Sequence, residues 1–487
     1  MKLNFLGRML CAATLSFGLV LSSCEDGFLG NDEDTEQGEN GGAEGDSGQT
    51  DSQKPLTLDL KSYTATTAVF TGTADLDRLG NYSEFGIALS YDEEFGNDDD
   101  YVLRITSLSD GNKYTKTATG LLCGKKIYYT TYLCKVGVYL YGEVKSFDMP
   151  ANLSLDATAN CYIVSKGGFY GFKTVKGNSA TSVGTVTSAE ILWESFGTST
   201  TPKVGDLIKS VSYNGGYIAF QTADAFKEGN AVIAAKDASG NILWSWHIWL
   251  TDQPQGQKYY NNAGTMMDRN LGATSATPGD VGALGLLYQW GRKDPFLGSS
   301  SISSSTFAKS TITWPSTVPS NSSNGTIAYA TANPTTFIKV NNSNYDWYYT
   351  GSDETDNTRW TTSESNKSIY DPCPAGWRVP DGGTKGVWSK ALGSSSSFTQ
   401  SSLYDSTNEG INFSGKFGSA STIWYPASGC RGNGDGGLGD VGSRGNYCSA
   451  SPNSSDAYSL SFSSNGGVFP SYDYNRVRGQ SVRCLQE

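Results

Sequence analysis

Apolar and polar residues alternate one by one along much of the chain after its first 54 residues, and this period of two constrains the fold more than any other feature. The pattern is clear at 56–60, 68–73 and 83–91. Because successive side chains of a β-strand point to opposite faces of a sheet, the alternation predicts strands. Turn-forming residues separate the runs at a spacing typical of β-sandwiches. The sequence therefore predicts two β-sandwich domains, over residues 55–150 and 151–252.

The composition agrees with a chain made of strands and loops. Glycine occurs 58 times in 487 residues, aromatic residues make up 12% and charged residues 17%, below the roughly 25% of ordinary soluble domains. Such a composition is typical of an all-β or loop-rich protein rather than a helical bundle. The net charge of −12 disfavours contact with a phosphate backbone, so nucleic acid is not an expected partner.

The first 24 residues have the pattern of an export signal. Lys2 and Arg8 precede an apolar segment at 9–21 that is too short to span a membrane as a helix. Residues 21–24 read Leu-Ser-Ser-Cys and resemble a bacterial lipobox, which implies that the thiol of Cys24 is acylated and that its partner is the lipid of the outer membrane. An ordinary signal peptide that happens to contain Cys24 is the alternative.

Residues 25–54 are predicted to form a disordered tether. This segment contains ten acidic residues and one basic residue, Lys54, and is otherwise mostly small and polar. Like charges repel and extend such a chain. Glu25 and Asp26, directly after Cys24, resemble the signal with which Bacteroidetes-type bacteria send lipoproteins to the outer face of the outer membrane. The predicted location is therefore the outer membrane, lipid-anchored and exposed at the cell surface; a plain solvated linker is the alternative.

Both predicted sandwiches contain short sequence segments that resemble segments of bacterial surface proteins. In 55–150, Tyr-Tyr at 128–129 and the run 141–147 resemble fibronectin type III-like domains, which implies a spacer. The acidic cluster 97–100 has the oxygen ligands of a Ca²⁺ site but lacks a spaced series with a closing Glu, so a solvated hairpin loop is favoured. In 151–252, the runs 159–164 and 242–249 resemble a module of fimbrillin-like Bacteroidetes lipoproteins.

Residues 253–487 contain four separated motifs. They read Met-Asp-Arg-Asn-Leu-Gly-Ala at 267–273, Tyr-Gln-Trp-Gly-Arg-Lys-Asp-Pro-Phe at 288–296, Asp-Pro-Cys-Pro-Ala-Gly-Trp-Arg-Val-Pro at 371–380 and Gly-Gln-Ser-Val-Arg-Cys at 479–484. Together they resemble the Fibrobacter succinogenes major paralogous domain family, which belongs with C-type-lectin-like and formylglycine-generating-enzyme-like folds. The resemblance implies an α+β C-type-lectin-like domain.

The predicted fold class is therefore multidomain and mainly β, with two sandwiches of the immunoglobulin or fibronectin type III kind followed by a C-type-lectin-like domain. Within the last domain, Asp381 is predicted to cap a helix through Trp388 to Leu392. The serine-rich stretch 298–325 is predicted to be a surface insertion because it is too polar for a core.

The cysteine count favours an oxidising compartment. By the resemblance to C-type-lectin-like folds, we expect two disulfides in the last domain, Cys373–Cys484 and Cys430–Cys448. The second would close a glycine-rich loop and stabilise the fold by about 3 kcal/mol. Of the remaining Cys123, Cys134 and Cys161, at least one must be free or intermolecular.

The sequence offers little for catalysis. His247 is the single histidine, so multi-histidine zinc sites are excluded, and its alternating aromatic surroundings predict a packed strand residue. Cysteines matching the copper-binding pair of formylglycine-generating enzymes are absent, as are the Ca²⁺-binding motifs of sugar-binding lectins. The pattern GxGxxG at 432–437 neither follows a parallel strand nor opens a helix. We therefore expect no enzyme activity, no catalytic residues, no metal and no cofactor.

A candidate ligand-binding set lies near the C-terminus, where tyrosine, arginine and small polar residues are mixed as in an antibody paratope. Its members are Arg431, Asn433, Asp435, Leu438, Asp440, Arg444, Asn446, Phe469, Ser471, Tyr472, Asp473, Tyr474, Arg476 and Arg478. The alternative is that small polar residues simply form loops. That alternative explains glycine, serine and asparagine but not the crowding of aromatic rings and guanidiniums at 469–478.

The run 469–476 also resembles the C-terminal variable region of proteins diversified by retroelements, in which mutagenesis of Asn-type codons yields Tyr, Asp, Ser, Gly, Phe, Val and Arg. Those proteins carry C-type-lectin-like domains. Cys448 departs from the pattern, since relatives often have Trp at this position. The resemblance implies that this run forms a variable binding face.

The leading functional hypothesis is a surface lipoprotein that presents an adhesin-type head to a protein or glycan ligand. A fimbria-associated structural subunit, with pilus subunits as partners, is the second hypothesis. An enzyme of the formylglycine-generating or glycan-processing kind is the third.

Overall fold

The computed structural model describes residues 54–96, 100–314, 316–341, 343, 345–352, 356–363, 366–399 and 403–487. The predicted signal peptide, Cys24, the tether up to residue 53 and the acidic residues 97–99 lie outside this description. Lys54–Glu487 form one compact unit. No helix in the described part of the chain is long and apolar enough to cross a bilayer. The mainly β fold class is confirmed, whereas the fibronectin-like and lectin-like domain types remain predictions.

Residues 54–150 form two sheets around one core. The three-stranded sheet has the order β1-β2-β5, and the other has the order β4-β3-β6-β7 with β8 also paired to β6. Phe70, Ile87 and Ile127 meet between the sheets. The elements are β1 (Asp59–Tyr63), β2 (Thr67–Thr73), α1 (Leu76–Leu79), β3 (Glu84–Ser90), β4 (Tyr101–Arg104), β5 (Lys113–Thr119), β6 (Lys126–Lys135), β7 (Val138–Tyr141) and β8 (Lys145–Asp148).

Residues 151–252 form a second pair of sheets, with the orders β10-β16-β15-β12 and β13-β14-β11-β9. Phe172, Phe220 and Trp246 lie in the core between them. Asp237 closes the β15–β16 hairpin, because its carboxylate accepts the backbone N–H groups of Ser239 and Asn241. The strands are β9 (Ala151–Asn152), β10 (Cys161–Val164), β11 (Phe169–Lys173), β12 (Ser188–Ser195), β13 (Ile208–Asn214), β14 (Tyr217–Thr222), β15 (Gly229–Lys236) and β16 (Ile242–Leu250).

Residues 253–487 contain short strands, two helices and long connections. The main sheet has the order β25-β33-β32-β31-β34-β29-β30, with β19 also paired to β34. The elements begin with β17 (Gly256–Tyr259), β18 (Gly264–Met267), a 3₁₀ turn (Val281–Ala283), β19 (Leu287–Gln289), β20 (Ser316–Pro319), α2 (Ile327–Ala332), β21 (Thr336–Lys339), β22 (Thr361–Ser363), β23 (Asn366–Lys367), β24 (Trp377–Arg378) and α3 (Val387–Leu392). They continue with β25 (Phe398–Thr399), β26 (Tyr404–Asp405), β27 (Gly410–Asn412), β28 (Trp424–Pro426), β29 (Cys430–Arg431), β30 (Leu438–Gly439), β31 (Arg444–Asn453), β32 (Asp456–Ser463), β33 (Gly467–Asn475), β34 (Gly479–Ser481) and β35 (Leu485–Gln486).

One hydrophobic core crosses the predicted boundary at residue 252. It joins Trp193 and Trp249 of the second pair of sheets to Trp290 and Trp360 of the last region. The serine-rich stretch 298–325 contributes to the same junction, because Ser310 forms a β-bridge with Ser195. The prediction that this stretch is only a surface insertion is therefore wrong: its backbone polar groups are satisfied by neighbouring strands, so part of it is buried despite its composition.

The two predicted disulfides have different outcomes. Cys373–Cys484 is confirmed, with a Cα–Cα distance of 6.1 Å. Cys430–Cys448 is wrong, because both residues are free, buried thiols. The strands that carry them meet at the Gly429–Gly445 bridge, and beyond it β34 lies between them, with Gly479 paired to Arg431 and Ser481 to Tyr447. Cys430 and Cys448 are therefore not neighbours across a strand pair, whereas bridged Cα atoms lie about 4.4–6.8 Å apart.

The predicted helix is confirmed as α3, but its predicted cap is not. Gly386 is the N-cap residue and makes no side-chain capping bond. The carboxylate of Asp381 instead pairs with Arg378 at 2.6 Å. The carboxylate of Asp381 therefore binds a basic side chain three positions earlier in the sequence instead of the backbone N–H groups at the start of the helix.

A candidate ligand-binding face on the main sheet

Strands β31, β32 and β33 are antiparallel neighbours and have two different faces. The alternation Ser-Leu-Ser-Phe at 459–462 places Leu460 and Phe462 in the core, together with Val468 of β33. Because side chains alternate along a strand, Ser459 and Ser461 point to the opposite face. That opposite face of the three strands carries the candidate site.

A β-bulge determines which residues of β33 share this face. Ser459 pairs with Tyr472 and Ser461 pairs with Phe469, with a register shift between the two pairs. Since paired residues point to the same side, Phe469 and Tyr472 lie on one face although they are three positions apart. An unbroken strand would place them on opposite faces.

Phe469, Tyr472 and Tyr474 form a continuous row that we call the aromatic strip. The ring centroids of Phe469 and Tyr472 are 5.4 Å apart, and those of Tyr472 and Tyr474 are 5.5 Å apart. The rings are inclined to each other by 62° and 56°, so they make edge contacts rather than one plane. Phe469 is 36% and Tyr472 41% exposed, whereas Tyr474 is only 9% exposed.

Two arginines flank the Tyr474 end of the strip. The guanidinium of Arg478 lies 5.1 Å from the centroid of the Tyr474 ring, and Nη1 of Arg444 donates to the Tyr474 hydroxyl at 3.3 Å. Within the described ranges, neither arginine has a carboxylate within the 4.0 Å of an ion pair. Arg478 also contacts the sulfur of Cys430. Burial raises the pKa of the Cys430 thiol, so the sulfur is not a counter-ion at neutral pH.

The floor beside the strip contains donors that lack acceptors. Ser461 donates to Oδ1 of Asn446 at 3.0 Å, in the row of paired residues that also contains Phe469. Nδ2 of Asn446 and Nε of Arg478 are buried and have no hydrogen-bond partner among the described residues. Asn446 is 0% exposed, so a ligand on the strip does not reach its amide. Arg478 is half-buried, and its guanidinium is the donor beside the strip that oxygen acceptors can reach.

Two arginines of the predicted set are not ligand contacts, which corrects the sequence prediction. Both Arg431 and Arg476 are 0% exposed. Arg431 donates to the backbone carbonyl groups of Leu297 and Gly436, and Arg476 lies 3.6 Å from the carboxylate of Asp346. Their guanidiniums hold loops together inside the fold, because a buried arginine needs several acceptors at once.

The other predicted residues lie around the strip or away from it. Asp440 precedes β31, and its backbone carbonyl accepts the N–H of Arg444. Asp473 is exposed but alternates with Tyr472 and Tyr474, so it points to the opposite side of the strand. Ser471, half-buried, lies in the bulge, while Asn433, Asp435 and Leu438 belong to the β29–β30 hairpin.

The motifs that suggested the family are structural in this fold. Arg292 donates to the carbonyl groups of Thr336 and Asn333, and Arg483 lies 3.8 Å from the centroid of the Tyr425 ring. Lys293 is buried between Asp294 and the hydroxyl of Ser245, 2.6 Å from each. A serine beside a lysine is a possible nucleophile and base, but these side chains are only 1% and 3% exposed, which leaves no access for a substrate.

His247 is confirmed as a packed strand residue. Nδ2 of Asn230 donates to Gly272, so its Oδ1 accepts a hydrogen bond from Nε2 of His247 at 2.8 Å. Burial lowers the pKa of His247 to about 3, and the ring is therefore neutral at pH 7. No group of three His, Cys, Asp or Glu residues in the described part of the chain is arranged to hold a metal ion.

Sequence reasoning included Asn446 in the predicted set but missed Ser459 and Ser461, which lie beside it in the floor of the site. The four residues 459–462 alternate serine with leucine and phenylalanine, and this period of two was the available signal that a polar face lies behind an apolar one. The roles of Ser461 and Asn446 depend on strand pairing, which a single sequence does not specify.

Comparisons with known proteins leave the family open. No protein-family profile and no curated protein matches the chain. Similar solved structures include "Br derivative BhCBM56" (13% identity, 20% of this chain and 95% of that one, TM-score 0.14). Others are the FN1-FN3 domains of chicken CNTN1 (9%, 42% and 71%, 0.15) and Bacteroides ovatus SGBP-B in complex with a mixed-linkage heptasaccharide (10%, 42% and 49%, 0.15). At these TM-scores the likenesses carry no argument about fold or function.

Proposed function

We propose that this chain is a cell-surface lipoprotein, anchored in the outer membrane through Cys24, whose last region binds a protein or glycan ligand with the aromatic strip and its flanking arginines. The acidic segment 25–54 is the tether in this proposal, and residues 55–150 are a spacer. The face described above is the binding surface of an adhesin-type head. Binding of this kind requires neither a metal nor a cofactor.

The observation that carries the proposal is the combination of exposed rings with charged donors that have no internal counter-ion. Phe469 and Tyr472 each keep more than a third of their surface in water, although burial of aromatic surface is strongly favourable. Arg444 and Arg478 stand beside them without an ion-paired carboxylate among the described residues. Tyrosine and arginine surrounded by small polar groups are the residue types that dominate binding energy in protein interfaces.

The test is a triple substitution of the exposed members, Phe469→Ala, Tyr472→Ala and Arg444→Ala. We expect capture of ligand from arrays of bacterial cells, host cells and purified glycans to be lost, while the melting temperature falls by no more than about 6 °C. Three surface substitutions of about 0.5 kcal/mol each sum to about 1.5 kcal/mol, at about 2–4 °C per kcal/mol. The measurement is array binding of the labelled full chain beside thermal unfolding.

The matched control is Tyr260→Ala with Lys385→Ala. Both residues are exposed in the same region of the chain but lie outside the strip. This control should bind as the unmodified chain does. Unchanged capture by the triple variant would place the ligand elsewhere, and isolation of the protein in pilus fractions without any captured ligand would favour the fimbrial subunit instead.

A further inference from the structure

The ring geometry of the strip discriminates between kinds of ligand. A sugar ring stacks its C–H groups on the flat face of an aromatic ring, so a straight glycan chain contacts several rings at once only where those rings lie near one plane. Here the rings are inclined by 56° and 62°. The face of Tyr474 is already covered by the guanidinium of Arg478, and its hydroxyl is bound by Arg444. The strip therefore presents ring edges at different angles, which fit irregular side chains better than a straight row of pyranose chairs.

The positive charge around the aromatic strip indicates that the partner is negatively charged. On the ring side of β33, Arg444 and Arg478 supply two positive charges without an ion pair in the described ranges. Asp473 is directed to the other side of the strand, and Asp440, the carboxylate that influences Arg444, lies beyond ion-pair distance. Carboxylate oxygens form short, charge-assisted hydrogen bonds with guanidinium groups.

We infer that the ligand is a protein, and that the part of it which docks on the aromatic strip is acidic, with Asp or Glu side chains paired to Arg444 and Arg478 beside an apolar or aromatic residue packed on Phe469 and Tyr472. This inference rests on the proposed function, since it names the ligand class of the same face. The free surface of the strip provides the apolar contact, and the unpaired guanidiniums provide charge complementarity.

The experiment immobilises three polymers and measures binding of the detergent-purified full chain by interferometry. The probes are a random copolymer of glutamate and tyrosine, a random copolymer of lysine and tyrosine, and polygalacturonate. We expect binding to the glutamate–tyrosine copolymer to be at least about tenfold tighter than to the other two, and to weaken by about tenfold or more between 50 and 500 mM NaCl, because salt screens the exposed charges.

Variants show whether the copolymer occupies this face. Arg444→Glu and Tyr472→Ala should each weaken binding by about tenfold or more, and Arg444→Lys, which keeps the charge, should retain most of it. Lys385→Glu makes the same change of charge as Arg444→Glu. Lys385 lies on the loop beside Gly383, and Gly383 contacts the ring of Tyr458 on the other side of the sheet. The Lys385→Glu variant should therefore bind as the unmodified chain does.

Several outcomes would overturn the inference. Equal or tighter binding of polygalacturonate would mean an acidic glycan, and equal binding of the lysine copolymer would remove the charge argument. No binding to any probe, or binding that neither Arg444→Glu nor Tyr472→Ala weakens, would also reject it. If the triple variant loses capture on arrays while the glutamate copolymer fails to bind, the proposed function stands and only the ligand class is wrong.

Discussion

At the scale of single residues, arginine has two distinct roles in this chain. Arg476 is fully buried, with its guanidinium 4.3 Å from the centroid of the Trp290 ring and beside the carboxylate of Asp346. Arg444 is exposed, and its side chain donates a hydrogen bond to the hydroxyl of Tyr474. Burial lowers the pKa of Arg476 to about 10, so it still carries a proton at pH 7. Both residues belong to the set that composition predicts for ligand binding, but only one is available to a ligand.

The two roles predict opposite results for the same substitution. Arg476→Met should lower the free energy of unfolding by about 1–3 kcal/mol for each carbonyl left unsatisfied, because Arg476 donates to the backbone carbonyls of Ser454 and Asp456. Asp346 keeps its ion pair with Arg359. Arg444→Met should change it by less than about 1 kcal/mol, because the side chain is exposed. Urea unfolding followed by tryptophan fluorescence measures both. If the Arg476→Met variant is as stable as the unmodified chain but no longer captures ligand, Arg476 contacts the ligand and its assignment as a structural residue is wrong.

The same distinction limits which positions of the run 469–476 tolerate variation. Phe469 and Tyr472 reach solvent, so many side chains fit there. Arg476 donates to backbone carbonyls of Ser454 and Asp456 as well as to Asn357, and few other side chains supply so many donors. If the run is diversified, we expect Phe469 and Tyr472 to vary and Arg476 to be kept.

At the scale of elements, the pairing of the strands determines which side chains form the aromatic strip and which cysteines can form a disulfide. The bulge in the β32–β33 pair brings Phe469 to the side of Tyr472. Beyond the Gly429–Gly445 bridge, β34 enters between β29 and β31 and separates Cys430 from Cys448. Neither fact is local in sequence, since each depends on which strands become neighbours.

This arrangement predicts a definite cysteine map. Alkylation of the unreduced, denatured protein should label Cys430 and Cys448 and leave a linked peptide that contains Cys373 and Cys484. Replacing Cys373 and Cys484 by alanine should reduce the free energy of unfolding by about 4–5 kcal/mol, because their bond joins residues separated by 111 positions and restricts the unfolded chain. Cys430→Ala is the control with no bond to lose. A linked Cys430–Cys448 peptide would contradict the sheet order.

At the scale of the whole molecule, residues 151–252 and 253–487 share a core, whereas residues 54–150 have one of their own. Asn160 lies at the junction. Its Nδ2 donates to the carbonyl groups of Ile369 and Asp371, each at 2.8 Å, and its Oδ1 accepts from the indole of Trp244. This side chain joins the second pair of sheets to the region that carries the strip.

Asn160→Ala should therefore weaken both regions together. The change leaves buried carbonyl and N–H groups without partners, at a cost of about 1–3 kcal/mol for each group that stays unsatisfied. Hydrogen exchange should show faster exchange throughout residues 151–252 and 366–487, with no change in 54–150. Faster exchange confined to 151–252 would mean that the two regions unfold independently. Asn178→Ala, whose amide donates to Ser368 from a less buried position, should have a smaller effect.

The sequence by itself determined the elements of this protein better than their arrangement. Alternation with a period of two indicates strands because it follows from the local geometry of the chain, and it correctly predicted the mainly β class and the packed position of His247. The helix at 387–392 and the Cys373–Cys484 bond also agree with expectation, the bond by family resemblance. The rings and guanidiniums of the candidate site were visible as a crowded run of unusual composition.

Only the tertiary structure decided which of those residues reach a ligand. Arg431 and Arg444 belong to the same residue type, but one is directed at the carbonyl of Leu297 and the other at solvent beside Tyr474. A one-residue change of register reverses the face of every side chain that follows it, so the bulge beside Phe469 could not be inferred from composition. The exposure of a side chain and the pairing of its strand depend on contacts between residues far apart in the sequence. These contacts form only when the strands pair in the folded chain.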